Sequence, residues 1–218
     1  MWKRAVTEYK STIQRKKDIQ RAKDAKEEEL SQETIQKYGG NKGTKDITIS
    51  PHRLADTREA EQKAAADFLG VNEVVFLRYN DGELRADDGL KIQLAILFPH
   101  YRPDAIVTHD PWRLYQPHPD HRALGTAVTD GIIAARDHLF LPALSVIDLK
   151  PHHTPNALFA GADNPNFFMD ISGTLDTKID SIVFHESQMT RLDGWRDRVR
   201  RRAADVGKKG GLQFAEGF

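Results

Sequence analysis

From about residue 41 onward the chain predicts an α/β fold, Rossmann-like, with a mostly parallel sheet and helices on both faces. Two observations carry that expectation. Short β-branched runs alternate with stretches of helical apolar spacing, and successive strand–helix units close most simply as a parallel sheet. Start and stop residues also fall between these units rather than inside them.

The elements follow in order. Ser50-Pro51 is an N-cap and first-turn pair, Leu54, Ala65, Phe68 and Leu69 space a helix, and Gly70 stops it. Val74-Val75-Phe76-Leu77 reads as a buried strand and Asn80-Asp81-Gly82 as a turn. Leu90, Leu94 and Leu97 mark the next helix, and Pro99 to Pro103 is expected to lead into the strand Ala105-Ile106-Val107. After Asp120 the spacing Leu124, Val128, Ile132, Ala135 is helical to about Arg136. A long loop bearing Pro and His comes next. Two short strands, Ala157 to Ala160 and Phe167 to Ile171, then precede a capped helix with Leu175, Ile179, Ile182 and Val183 inward. The basic run around Arg196 to Arg202, interrupted by Asp193, Asp197 and Asp205, reads as a solvated helix in preference to a nucleic-acid surface.

Residues 1–37 differ in kind, being dense in Lys, Arg, Glu and Gln with no Pro, Gly or His. The expectation for residues 1–40 is a charged helical or disordered segment outside the sheet, ahead of one α/β domain over residues 41–218.

Composition narrows the chemistry. The 218 residues carry 32 basic and 32 acidic side chains, so bulk charge favours neither nucleic acid nor membrane. There is no cysteine, which leaves His and carboxylates as the only strong metal ligands and suits a cytoplasmic protein. No apolar run approaches a membrane span or the core of a signal peptide.

The chemistry concentrates between Thr108 and Arg122. His109 tops a strand, while His118 and His121 straddle a helix start, where an open α/β sheet holds its ligands. His118 and His121 can converge on one point, with Asp120 able to cap the helix or orient an imidazole. The competing reading is a polar loop with surface histidines.

Seven pieces occur together and in order: Asn41-Lys42-Gly43-Thr44, Arg58-Glu59-Ala60-Glu61-Gln62, Phe76 to Leu84, Thr108-His109-Asp110-Pro111, His118-Pro119-Asp120-His121-Arg122, Phe168 to Ser172, and His185-Glu186-Ser187-Gln188. From about residue 41 the chain thereby resembles the LmbE-like, or PIG-L, family of metal-dependent de-N-acetylases. The resemblance implies removal of an acetyl group from an N-acetylglucosamine-type amino sugar or glycoconjugate, with zinc or another divalent metal as cofactor. It implies His118 as general acid and oxyanion partner, Asp120 as its orienter and His121 as metal ligand. Arg58, Asp81 and Tyr115 match or lie near substrate-contacting positions. The implied partner is a small amino sugar, and a homo-oligomer is left open.

One piece of the family pattern is missing. Members open with a strand ending in His-Pro-Asp-Asp, which supplies the remaining ligands and the general base, whereas the first histidine here is His52. The expectation is therefore a domain lacking its first strand, with weak metal binding centred on His121 and impaired hydrolysis. His109, Asp110 and His118 are the nearby substitutes for the missing ligands. The alternative is a divergent, non-catalytic member that binds a sugar or a partner.

Overall fold

The computed structural model describes residues 32–38, 41–44, 46–189 and 193–218, the first of these ranges by its backbone alone. In chain order the elements are β1 (Gln32–Tyr38), α1 (Pro51–Phe68), β2 (Val71–Tyr79), α2 (Asp88–Tyr101), β3 (Ala105–His109), α3 (Pro119–Arg136), α4 (Ala143–Val146), β4 (Asn156–Ala160), β5 (Phe168–Asp170), α5 (Leu175–Val183), α6 (Glu186–Met189), α7 (Trp195–Gly210) and β6 (Ala215–Gly217). The α/β expectation holds.

Two parallel pairs form the sheet, β1 beside β2 and β3 beside β4, while β5 and β6 pair antiparallel. Among the described residues β2 and β3 share no ladder. They still belong to one body, because Leu77 and Tyr79 of β2 and Ile106 of β3 pack on the same apolar layer. That layer consists of Leu90, Leu94, Ala95 and Phe98 from α2 and Ala127, Val128, Ala134 and Ala135 from α3. Gly131 lets the two helices close: a Cβ there would meet Leu94 Cβ at 3.0 Å and Phe98 at 3.2 Å. A second cluster, Ile171, Leu175, Ile179 and Ala203, joins α5 to α7. Along the same two helices, Arg200 and Arg196 lie 2.8 and 3.6 Å from Asp176 and Asp180.

Local signals behave as their chemistry dictates. The Ser50 hydroxyl accepts the Arg53 N–H, Pro51 opens α1, and Gly70 takes φ +71° just beyond its end. The Asp87 carboxylate caps α2 by accepting the Leu90 N–H.

Four expectations need correction. Residues 32–38 were placed outside the sheet, yet they form β1, paired in parallel with β2; residues 1–31 lie outside the described residues. The Thr34-Ile35 core of that strand was hidden by its charged flank, and a strand inside such a flank is specified by its partner, Val74-Val75-Phe76. Pro99 was expected in the lead-in to β3 but sits inside α2. Proline forfeits one hydrogen bond in the last turn, and burial of Leu94 and Phe98 on α3 keeps the helix intact through Tyr101. Val183 stays exposed rather than inward, because only Leu175 and Ile179 of α5 reach the second cluster. Thr174, finally, makes no side-chain cap on α5.

Candidate functional site

The site assembles where β2 and β3 end and α3 begins. His118 is the N-cap of α3, and its Nδ1 accepts the backbone N–H of Asp120 at 3.3 Å. The lone pair used in that bond is then on Nδ1, so in the neutral ring Nε2 carries the proton. Nε2 lies 3.4 Å from Asp81 Oδ1. The α3 N-terminus and a carboxylate together hold this imidazole, with Nε2 directed at Asp81.

Asp120 also organises the loop after β2, through its carboxylate. It is fully buried, and its two oxygens accept the N–H groups of Gly82 at 2.8 Å and Leu84 at 3.2 Å. The turn after β2 is thereby tied to the first turn of α3, where the helix dipole favours a carboxylate. The resemblance implies Asp120 as the orienter of His118; its backbone N–H donates to Nδ1 of that ring and its carboxylate holds the turn, while Asp81 Oδ1 lies beside Nε2.

His121 lies one turn into α3, stacked between two other rings. Its centroid is 3.9 Å from that of His109, nearly coplanar at 7°, and 4.5 Å from that of His118 at 18°. Burial pushes the His121 pKa down to about 4, with the neighbouring His109 and His118 adding to the effect. The ring is neutral at pH 7 and keeps a lone pair for a Lewis acid. The close seating of α3 on β3 requires Gly125, where a Cβ would meet the His109 carbonyl oxygen at 2.3 Å.

Arg58 points its guanidinium at backbone: Nη1 donates to the Lys42 carbonyl at 2.6 Å and Nη2 to that of Gly43 at 3.1 Å. A Cβ built on Gly43 would sit 3.7 Å from Asp81 Oδ2 and 3.9 Å from Arg58 Nη2, so this loop runs between the two residues. Sequence reasoning gave Asn41 no role, yet it clamps the loop to the turn. Its Nδ2 donates to Asn80 Oδ1 at 2.9 Å and its Oδ1 accepts the Asp81 N–H at 3.0 Å. The signal for it was the Asn80-Asp81-Gly82 turn, whose backbone donors need acceptors from somewhere. Tyr115 sits on the 110–117 loop, exposed and with φ +59°. Asp110, a candidate substitute ligand, has Oδ1 engaged by the Trp112 N–H at 2.9 Å.

Among the described residues one group brings three potential ligands together: Asp81, His118 and Asp120, with ligand atoms within 4.8 Å of one another. Two carboxylates and an imidazole suit a divalent cation, with the neutral His121 ring stacked alongside. Each of the three already has a hydrogen bond or a close polar contact within the protein, so a cation must compete for it. The group fits a divalent metal.

An α/β sheet with imidazoles and carboxylates converging at the exits of its parallel strands defines a hydrolase-type site of the metal-assisted class. Comparison with known families narrows this to one: residues 13–132 match the GlcNAc-PI de-N-acetylase (PIG-L) family, and the chain belongs to it. The match begins well upstream of residue 41 and takes in β1. The diacetylchitobiose deacetylase of Thermococcus kodakarensis is 32% identical over 181 residues, covering 82% of this chain and 68% of that protein. The N,N'-diacetylchitobiose deacetylase of Pyrococcus horikoshii, solved with its inhibitor MPG, superposes with a TM-score of 0.81 at 29% identity, covering 87% of this chain and 72% of that one. The 4-carboxy-2-hydroxymuconate hydratase GalB of Pseudomonas putida has the same fold, with a TM-score of 0.69 at 21% identity over 86% of this chain and 82% of that one. The fold therefore serves more than one reaction, and the site must decide which.

Proposed function

We propose that the chain is a de-N-acetylase of N-acetylglucosamine-type amino sugars, with His118 as general acid and oxyanion partner. The carrying observation is the His118 ring, held by the start of α3 on one side and Asp81 on the other. To act as the acid the ring must first be protonated at both nitrogens, Nδ1 releasing the Asp120 N–H; the imidazolium then gives its Nε2 proton to the departing sugar nitrogen and returns to the neutral ring. Asp81 supports the charge that the ring acquires, and Asp120 keeps the turn carrying Asp81 in place. A bound divalent metal, zinc by family habit, supplies Lewis acidity that polarises the acetamide carbonyl. His121, neutral, is the imidazole for it, with Asp81 and Asp120 as the nearby carboxylates. Arg58 and Tyr115 complete the substrate contacts, Arg58 by fixing the 42–43 loop. No helix among the described residues is long and apolar enough to cross a membrane, and the absence of cysteine supports a cytoplasmic setting.

The same reading includes impaired turnover. Among the described residues no ladder joins β2 to β3, and the sequence contains no His-Pro-Asp-Asp segment, the piece that carries the general base in family members. General-base catalysis contributes roughly 10²- to 10⁴-fold, so the chain should turn over slowly. The same missing motif favours a second reading, a member that binds an amino sugar without hydrolysing it.

The test is acetate release from N,N'-diacetylchitobiose with added zinc, by the chain and by a version in which a family-type His-Pro-Asp-Asp strand and its helix replace residues 1–31, leaving β1 intact. Slow or absent turnover by the first and robust turnover by the second is expected. Robust turnover by the unaltered chain would remove the impairment, and sugar binding without hydrolysis by either protein would favour the second reading.

A further inference from the structure

Most of the basic side chains of α7 meet an oxygen close by. Arg196 and Arg200 lie 3.6 and 2.8 Å from Asp180 and Asp176, Lys208 lies 3.7 Å from Asp205, and Arg198 and Arg201 donate to the Asp193 and Asp197 carbonyls. Arg202 and Lys209 are exposed and make no hydrogen bond or ion pair with another described residue. Those two line a cavity of about 540 Å³. Its walls are largely apolar: Val107 and Leu158, register partners on the β3–β4 ladder, Met169 of β5, and Val199 and Val206 of α7. Val199, Arg202, Val206 and Lys209 recur every three or four residues, so one face of the helix supplies both apolar surface and charge. A Cβ on Gly217 would lie 3.3 Å from Val206 Cγ1 and one on Gly210 2.7 Å from Phe168, which shows how closely the β5–β6 pair is seated on α7. Lys178 also lines the cavity but donates to Glu216, which leaves Arg202 and Lys209 as the uncompensated side-chain charges of the lining. Burial, and after it the positive charge of Arg202, holds the Lys178 amine below the ordinary lysine range.

We propose that this cavity binds an amphipathic organic anion, a carboxylate or phosphate on an unbranched alkyl chain, with the chain on the apolar walls and the head group met by Arg202 and Lys209. Small-molecule sites typically occupy roughly 300–1,000 Å³ and combine apolar walls with a few polar groups that fix orientation, which is the composition found here. The two cations stand seven residues apart, about 10 Å along the helix axis, a span that their long side chains can close on one head group. Other ligands match less of the lining. An amino sugar brings no negative charge to the cations, and a bare phosphate has no apolar body for Val107, Leu158 and Met169. A nucleic-acid backbone would need the remaining α7 cations, which are already engaged. The cavity is separate from the ring stack, since none of Asp81, His109, His118, Asp120 and His121 lines it, and the inference stands apart from the deacetylase reading.

The test is calorimetry on the full chain, with a chelator present so that no metal competes for the anion. It compares octanoate and octyl phosphate with octanol, acetate and inorganic phosphate. At least one of the two alkyl anions is expected to bind one to one, and the tighter of them identifies the head group. Octanoate should bind more tightly than hexanoate, since each buried methylene adds roughly fourfold. Octanol, which lacks the charge, and acetate and phosphate, which lack the chain, should bind at least about tenfold more weakly. Arg202→Gln and Lys209→Gln, both at exposed positions, should each weaken alkyl-anion binding about three- to tenfold, while Arg202→Lys retains most of it. Val107→Glu, at a residue 61% exposed, should abolish binding by placing a carboxylate on the apolar wall, with circular dichroism confirming that each variant is folded. His118→Ala should leave it unchanged. No binding of either alkyl anion, octanol binding as well as octanoate, or affinity indifferent to both charge removals overturns the proposal. So does loss of binding in His118→Ala, which would place the anion at the ring stack.

Discussion

Asp120→Asn removes one charge and almost no volume, which makes it the sharpest probe of how the site is held. The carboxylate is fully buried and accepts two backbone N–H groups, from Gly82 at 2.8 Å and Leu84 at 3.2 Å. Asparagine can serve one of them through its carbonyl; its NH2 group must then face the other donor. A hydrogen bond to a charged group is worth about 1.5–3 kcal/mol, and the unsatisfied buried donor adds to the loss, giving a destabilisation of roughly 2–4 kcal/mol. For a chain of this length each kcal/mol moves the melting temperature by about 2–4 °C, so calorimetric or circular-dichroism melts should fall by roughly 5–15 °C. The turn carrying Asp81 should loosen with it, and sugar binding should weaken in proportion. A variant melting within about 2 °C of the parent would show that the Asp120 carboxylate does not bear the turn, and the account of the site given above would fail.

Gly125→Ala should destabilise strongly, by several kcal/mol in urea unfolding, since the new methyl would lie 2.3 Å from the His109 carbonyl oxygen; a loss under about 1 kcal/mol would contradict that seating. His121, with a folded pKa near 4 against an ordinary value of 6.5, resists protonation in the native state while the unfolded chain accepts the proton. Stability should therefore be constant above about pH 6.5 on this account and decline as pH falls towards 4, and His121→Gln should flatten that part of the profile. Zinc titration should give weak binding, micromolar or poorer, diminished by both His121→Ala and Asp81→Asn; a tight one-to-one site indifferent to either would place the metal elsewhere.

Several features were legible in the sequence because the forces that set them are local. Ser50-Pro51 and Gly70 bracket α1 by capping and by left-handed backbone, and these need only the residues themselves. The β-branched run before His109 and the helical spacing after Asp120 placed three imidazoles at one strand exit, and the structure stacks all three. The departures at Gln32–Tyr38 and Pro99 came from contacts distant in sequence. Gln32–Tyr38 is a strand because β2 lies alongside it, although its charged surroundings argue for a solvated segment. Pro99 is tolerated in α2 because Leu94 and Phe98 are buried against α3, an energy no propensity scale contains. The Asp120 carboxylate holds the turn that carries Asp81 because the segment after β2 folds back onto α3, bringing Gly82 and Leu84 within reach of a carboxylate nearly forty residues away. Residue type and spacing determined which groups could do the chemistry. Which carboxylate meets which imidazole was decided by the packing of β2 and β3 on a shared helical layer, because a buried N–H takes the nearest acceptor in space whatever its place in the chain.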